Sequence, residues 1–461
     1  MLASLLAVLM VVVAGMPIGY VVFRDLRFAL LIAPLVTALS AAAAAILMLV
    51  VGGDLLWWLG PLLVLQWAAT PVLLRRTAPP AVRAGTWADW LWLVVPLLLP
   101  FLVVVLPPTA WDANSIWWLH AAYFTKGATL AREYLGLPSV SFSHPDYPPL
   151  ESAAVGAVWS VLSGYKLYVA QFVSAALSFS SIVMLGYAVR VATNRAPALV
   201  SRIAAACVAL AAWGAEPTGV ADGYSDVLWA AAFAAAAVLL LLRPEPLRRP
   251  LLPVLLLSGV ALTKNEGFVM AVVLAATATV RMRRELRRAW VLWVPVLAGG
   301  VWSLVCRHFG AKSDVTSSVH LGDVLRLDPA IYDRLSPTLS AIWSTVGPLV
   351  AVAVATAVVG GILLRRQRRT LELGGDLWLW ALVAVYLAVL SATYLVSSNP
   401  ITWYLNTSIT RVTLPFALVA TASAVCWAVV ALTGGGTFGG DGATIRREVG
   451  ISQDQSQEIS V

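Results

Sequence analysis

Uncharged apolar stretches long enough to cross a bilayer recur from one end of this chain to the other. A hydrocarbon core about 30 Å thick takes about 20 apolar residues in a helix, and only helices or closed barrels satisfy their backbone groups there. The alternating pattern of a barrel strand is absent, so the spans are helical. Hydrophobic residues make up 60% of the 461 positions and charged residues 12%, about half the charged fraction of a soluble domain. The expected fold class is therefore an all-α polytopic membrane protein. Thirteen crossings are expected, at about 2–23, 28–51, 55–74, 88–107, 166–189, 199–215, 227–242, 251–263, 267–280, 289–306, 338–364, 375–396 and 412–432.

Charge orients these spans. With the N-terminus outside and the C-terminus inside, 22 of the 31 basic residues fall in cytoplasmic segments, including the cluster from Arg281 to Arg288. Basic residues favour the cytoplasmic side, so this orientation is the expected one. The net charge of +8 then reports topology, and no nucleic-acid partner is expected, because the basic residues are scattered through short loops. All four lysines, Lys126, Lys166, Lys264 and Lys312, and all four histidines, His120, His144, His308 and His320, fall outside. Any chemistry is expected on that face. Cys207, Cys306 and Cys426 lie in or at the ends of spans and read as core filler. The start reads as a retained first span, and the segment after 432, Gly-rich and then polar, as a disordered cytoplasmic tail. Residues 1–87 would then be three N-terminal spans, 88–432 a catalytic membrane domain, and 433–461 the tail.

Only two external segments are long, roughly 108–165 and 307–337. The cytoplasmic loops are short and no Walker motif appears, so a substrate arriving on a lipid is expected rather than a nucleotide-activated one. In the first segment, WDANSIWWLHAAYF follows Pro107 and Pro108. Asp112 or Asn114 can cap a short helix carrying Trp117, Trp118, Ala121 and Phe124, which is expected to lie in the interface with its aromatics at headgroup depth. Further on, SHPDYPPLES holds His144 and Asp146 in a stretch stiffened by Pro145, Pro148 and Pro149, with Glu151 complementing the dipole of the helix that follows.

The segment 251–280 carries only two charges, Lys264 and Glu266, in LTKNEG, with arginines flanking both ends. As one helix it would run about 45 Å, too long for a crossing whose ends are both inside. The chain must turn near Lys264, and arms of about 20 Å place that lysine near lipid-phosphate depth. A Lys264–Glu266 pair would satisfy itself. In GVADGYSDVLWA, Asp222 and Asp226 stand at the start of the seventh span, where Asp226 can serve as a cap. In WYLNTSITRVTLP, Arg411 stands outside against the charge rule, which suggests an anionic partner.

WDANSIWWLHA, HPDYPPL, GYSDVLWA, LTKNEG and NTSITRVTLP, in this order over about 108–416, resemble the motif series of bacterial membrane glycosyltransferases of the GT-C superfamily, the group with protein O-mannosyltransferases and lipid A aminoarabinose transferases. The resemblance implies a GT-C-like helical core, with Asp112 as catalytic base or acceptor ligand. It also implies that Asp146 and Asp226 line the sugar or acceptor pocket and that Lys264 and Arg411 face the donor phosphate. The family commonly has its catalytic loop after the first span, whereas here three added spans precede the fourth, which the expected catalytic loop follows. His120 stands where the family often has lysine, and Asp112 has no acidic neighbour, which leaves a divalent metal open.

The same chemistry follows from the bond to be broken. A polyprenyl-phosphate sugar leaves a phosphate monoester, so transfer needs a base for the acceptor hydroxyl and cations for the departing phosphate. Asp112 would be the base, with Lys264 and Arg411 as cations. His120, His144, Asp146, Asp222 and Asp226 would form the sugar or acceptor pocket, supported by Glu266, and 307–337 could cover the acceptor side. Inversion follows if one carboxylate reaches the anomeric carbon. The acceptor would be an envelope glycan, lipid or protein. A transporter or lipid flippase is the rival reading, but its sites would lie near the midplane. A scaffold would scatter Asp112, Lys264 and Arg411 over the outer face.

Overall fold

The structure, a computed structural model, describes residues 2–77, 86–103, 107–242, 250–312, 329–367, 374–397 and 400–433. The described residues are helical, with no strand among them. The helices are α1 Leu2–Phe23, α2 Leu26–Val51, α3 Leu55–Arg76, α4 Trp87–Val103, α5 Trp118–Phe124, α6 Ala128–Gly136 and α7 Leu150–Leu162. There follow α8 Leu167–Ala192, α9 Ala198–Ala215, α10 Pro217–Asp222, α11 Asp226–Ala237, α12 Leu251–Ala261 and α13 Asn265–Arg281. The chain ends in α14 Leu286–Ala289, α15 Val294–His308, α16 Pro329–Arg366, α17 Gly374–Val396, α18 Ile401–Val412 and α19 Leu414–Thr433.

Among the described residues nine helical stretches are long and apolar enough to cross a membrane. The chain is accordingly a polytopic helical membrane protein. Four other expected spans are helical but shorter, as Trp87–Val103, Asp226–Leu242, Leu251–Ala261 and Asn265–Arg281. The helix expected from 338 starts earlier, at Pro329, which shortens the second of the two long segments expected outside. The middle of that loop, 313–328, and the tail from 434 lie outside the described residues.

α8 and α11 form the centre of the bundle. Every residue of α11 is buried, and so is nearly all of α8. The reason is in their composition. α11 reads DVLWAAAFAAAA, and a helix that is small and apolar on all sides can be surrounded closely by others. α3 and α16, by contrast, leave most of their apolar residues at the surface, as lipid-facing helices do. The first two helices pack closely through GMPIG in α1. A Cβ on Gly15 would lie 2.0 Å from the Ala33 carbonyl oxygen, and one on Gly19 would lie 2.6 Å from that of Ala29. The hydroxyl of Thr37 crosses the same interface to donate to the Val11 carbonyl at 2.5 Å. These helices share one apolar core with α7 and α8.

The polar contacts gather at two ends. At one, Arg24 donates to the carbonyls of Leu74 and Thr77, Trp90 Nε1 donates to the Arg27 carbonyl, and Asp89 accepts from Arg190 and Arg202. At the other, the segment between α4 and α8 docks on the turn between α2 and α3, where Ala128 N donates to the Gly53 carbonyl and Arg132 Nε to that of Leu49. Gly53 takes a φ of +84° in that turn, a conformation that glycine adopts without cost.

Two expectations about packing change. The short helix after Asp112 does not expose its aromatics to headgroups. Trp117, Trp118, Ala121 and Phe124 are all buried in protein. Gly156 of α7 permits the contact, since a Cβ there would meet the Ala121 carbonyl oxygen at 2.9 Å. Trp118 donates its indole N–H to Ser174 of α8. Polar partners within the protein for an indole outcompete the interface. Cys306 and Cys426 are buried as expected, whereas Cys207 is exposed on α9.

Candidate functional site

Four of the residues singled out above, distant in sequence, form one continuous chain of ion pairs. Lys264 Nζ donates to Asp226 Oδ1 at 2.7 Å, and Arg411 Nε donates to Asp226 Oδ2 at 2.9 Å. The guanidinium of Arg411 also donates through Nη2 to Asp112 Oδ2. One Arg fork thus holds two carboxylates, a geometry that a lysine cannot reproduce.

Local structure explains how each arrives. Asp112 precedes a turn of π-helix, Ala113–Trp117, which widens the backbone at that point. It makes no side-chain cap bond, so the capping expectation fails for it: its carboxylate is taken by Arg411. Asn114 does not cap either, and donates backwards to the carbonyls of Pro108 and Ala110. Asp226 opens α11, with Ser225 before it. Lys264 sits at the break between α12 and α13 with extended backbone, at φ −141° and ψ 159°, where the sequence called for a turn. Gly267 lets the two arms approach, because a Cβ there would fall 2.3 Å from the Val260 carbonyl oxygen. Arg411 is in the last turn of α18, just ahead of the bend into α19.

Burial grades along this chain. Asp226 and Lys264 are 1% and 6% exposed, while Asp112 and Arg411 are 15% and 22% exposed. Access is from the Asp112–Arg411 end. Two cations and two carboxylates cancel in formal charge, which makes the burial tolerable. Aromatic rings finish the walls: the Arg411 guanidinium carbon lies 4.8 Å over the Tyr224 ring, and Lys264 Nζ lies 5.7 Å from the centre of Tyr147.

The other expected residues lie around this core in different ways. Asp146 accepts from Asn265 Nδ2 at 2.6 Å, beside Lys264, and its carbonyl accepts from Trp302 Nε1 at 2.9 Å. The proline-stiffened loop is docked on the helix break, with Leu150 N donating to the Leu262 carbonyl. His144 takes a left-handed φ of +51° and stacks on Tyr147. Asp222 accepts from Gln171 at 3.4 Å. Burial raises its carboxyl above the usual range. Glu266 does not pair with Lys264, whose ammonium goes to Asp226 instead. His120 is buried and bonded to Ser143 at 3.1 Å. Burial pushes its pKa down to about 3, helped by the nearby His144, so the ring is neutral at physiological pH.

Nothing matches this chain among protein-family models, curated proteins or solved structures. The reading of the site therefore rests on its geometry. Among the described residues no group of three or more His, Cys, Asp or Glu is placed to hold a metal ion.

Several residues of the site were not singled out from sequence. Glu151 was read as a dipole complement, but it is fully buried and accepts from Ser174 Oγ and Ser225 Oγ, each at 2.5 Å. Burial pushes its carboxyl up to about 7. The signal was present, because ESAAVGAVWSVL is apolar on every side and a carboxyl in such a helix has to be buried and partnered. Glu216, at the end of α9, also rises to about 7, through burial first and the Asp226 charge second. It heads a turn with three acids between two apolar helices, Glu216, Asp222 and Asp226. Tyr224 and Tyr147 carried no pattern that marked them in advance.

Proposed function

We propose that this protein is a membrane glycosyltransferase that moves a sugar from a polyprenyl-phosphate donor to an acceptor hydroxyl on the extracytoplasmic face. In this reading the chain crosses the plasma membrane thirteen times with its N-terminus outside, and the ion-pair chain lies at the outer boundary. The observation that carries the proposal is the meeting of Asp112, Asp226, Lys264 and Arg411, from four separate segments, in one partly accessible cluster. A scaffold has no need of such convergence, and a cluster at the bundle's end suits a headgroup better than a transport path through the middle.

The chemistry assigns each side chain a task. Lys264 and Arg411 offer the cations that a lipid phosphate requires. A phosphate oxygen arriving at the accessible Arg411 fork replaces the Asp112 carboxylate as its partner. Asp112 is then released to accept the proton of the acceptor hydroxyl. The acceptor oxygen attacks the anomeric carbon, the bond from that carbon to the phosphate oxygen breaks, and polyprenyl phosphate leaves with the bonding pair. With Asp112 as the only base the displacement is single and inverts the anomeric centre. Asp226 stays charged between the two cations and holds them a fixed distance apart. The acceptor is the hydroxyl of an envelope glycan, lipid or protein.

The test is direct. Purified full-length protein in lipid nanodiscs is given a panel of polyprenyl-phosphate hexoses and pentoses with envelope fractions as acceptors, and Asp112→Asn is run beside wild type. Loss of a positioned base costs about 10²–10⁴ in rate. Transfer by Asp112→Asn at the wild-type rate removes the assigned base, and no transfer by wild type from any donor removes the function.

A further inference from the structure

Three of the four segments that meet in the ion-pair chain lead back to the first turn of α7. Glu151 is 1% exposed there, and the described residues give it no ion pair. Two hydroxyls hold its carboxyl instead: Ser174 of α8 donates to Oε1 and Ser225 donates to Oε2, each at 2.5 Å. A carboxyl buried on hydroxyls alone costs the fold more than an apolar side chain would. Stability therefore does not account for it.

Each bond leads to a part of the site. Ser225 is the residue before Asp226 and stands at the N-cap of α11, yet it makes no cap bond to its own helix. Its hydroxyl is given to Glu151, although a serine at that place ordinarily caps. Ser174 accepts the indole N–H of Trp118 at 3.3 Å, and Trp118 lies in the helical run that follows Asp112. Gly223, just ahead of Ser225, lets that run pack against the start of α11: a Cβ there would meet Trp118 Cζ2 at 2.7 Å and Ala113 Cβ at 2.9 Å. Beside Glu151, Leu150 N donates to the Leu262 carbonyl at 2.9 Å, which ties the same turn of α7 to the helix break carrying Lys264. Arg411 comes from α18 and is held by its own ion pairs.

We propose that Glu151 is a positioning residue for the ion-pair chain: through Ser225 it fixes the first turn of α11, and so sets where Asp226 holds the two cations. It acts through Asp226 and not on the substrate. The inference rests on the transferase reading for what those cations bind, while the hydrogen bonds that carry it involve no substrate. A buried polar group that only filled the core would change stability alone. A positioning residue also changes how strongly Asp226 and Lys264 act on each other, because a satisfied buried network fixes the geometry of the groups it holds.

The experiment nests one mutant cycle in another. With full-length protein in mixed micelles, the SDS unfolding midpoint is measured for Asp226→Asn, Lys264→Met and the double variant. The set is measured first with Glu151 and Ser225 intact, then with Glu151→Gln, then with Ser225→Ala, which cuts the link without removing a charge. The part of the midpoint shift that is not additive should shrink by about half in either background, because members of one network couple and distant sites do not. Ser201→Ala, at a buried serine bonded to Arg190 and Thr193 at the other end of the bundle, should lower the midpoint and leave the non-additive part alone. A non-additive part that keeps its size with Glu151→Gln or with Ser225→Ala, or that shrinks as much with Ser201→Ala, overturns the positioning role. Binding of farnesyl phosphate, followed by tryptophan fluorescence, is the second readout. Lys264→Ala should weaken it about tenfold, the worth of one hydrogen bond to a charged group, and Glu151→Gln should weaken it too. Binding lost in Lys264→Ala but kept in Glu151→Gln also overturns the positioning role. Binding equal in wild type and Lys264→Ala overturns the transferase reading instead, and the cycles then decide the placement of Asp226 by themselves.

Discussion

Asp226 sits between two cations with almost no exposure, and that arrangement predicts a specific pattern in a double-mutant cycle. The cluster holds Asp112 and Asp226 against Lys264 and Arg411, so its formal charge is zero. Asp226→Asn leaves one positive charge uncompensated, with ammonium and guanidinium nitrogens 2.7 and 2.9 Å from the former carboxylate oxygens. Lys264→Met leaves one negative charge. Breaking a buried pair from one side costs about 3–5 kcal/mol because the stranded charge keeps its desolvation penalty. Both side chains are nearly sealed, so no discount for solvent screening applies. The double variant Asp226→Asn with Lys264→Met restores neutrality and keeps an amide oxygen for Arg411. Its loss of stability should fall short of the sum of the single losses by about 2–3 kcal/mol. The assay is reversible unfolding in mixed micelles, titrated with SDS and followed by tryptophan fluorescence. Stability should recover in the double variant while lipid-phosphate binding does not, because the cation is gone. Additive losses within about 0.5 kcal/mol would refute the shared low-dielectric cluster.

Three more expectations follow from the same structure. His120 stays neutral in the folded chain down to about 3, whereas an unfolded histidine takes a proton near 6.5. Stability should then fall as pH drops from about 6.5, and His120→Gln should flatten this loss, readable as thermal midpoints at pH 7 and pH 5. Glu151 runs the other way: the folded carboxyl holds its proton up to about 7 against a usual value of 4.5. Stability should decline by about 3 kcal/mol as pH rises through that window, and Glu151→Gln should remove the slope in the same melting series. Gly15→Leu, whose Cβ alone would sit 2.0 Å from the Ala33 carbonyl oxygen, should separate α1 from α2. Faster proteolysis of the N-terminal pair, with the rest of the chain protected, is the readout.

Much of the site was legible before the fold was known. Asp112, Lys264 and Arg411 stood out because charge in an apolar chain is rare and expensive, so each had to be explained. The break at Lys264 followed from length alone, since thirty residues between two basic ends cannot be one crossing helix. What could not be read was direction. Asp112 fits a helix cap by sequence, yet its carboxylate turns to Arg411, nearly three hundred residues away. Lys264 had Glu266 two positions off, but Lys264 has extended backbone at the break while Glu266 lies in the first turn of α13, and the Lys264 ammonium reaches Asp226 across the bundle.

By itself the sequence determined the solvent this chain must meet and the kind of secondary structure that survives there, because backbone groups in hydrocarbon have to bond within their own helix. It also determined where ionisable groups stand along those helices. Only the tertiary structure decided which groups became partners. Packing of small residues in α1, α2 and α11 sets the distances between helices, and those distances bring two aspartates to one arginine fork. Pairing depends on angstroms in space, which spacing along a chain does not encode.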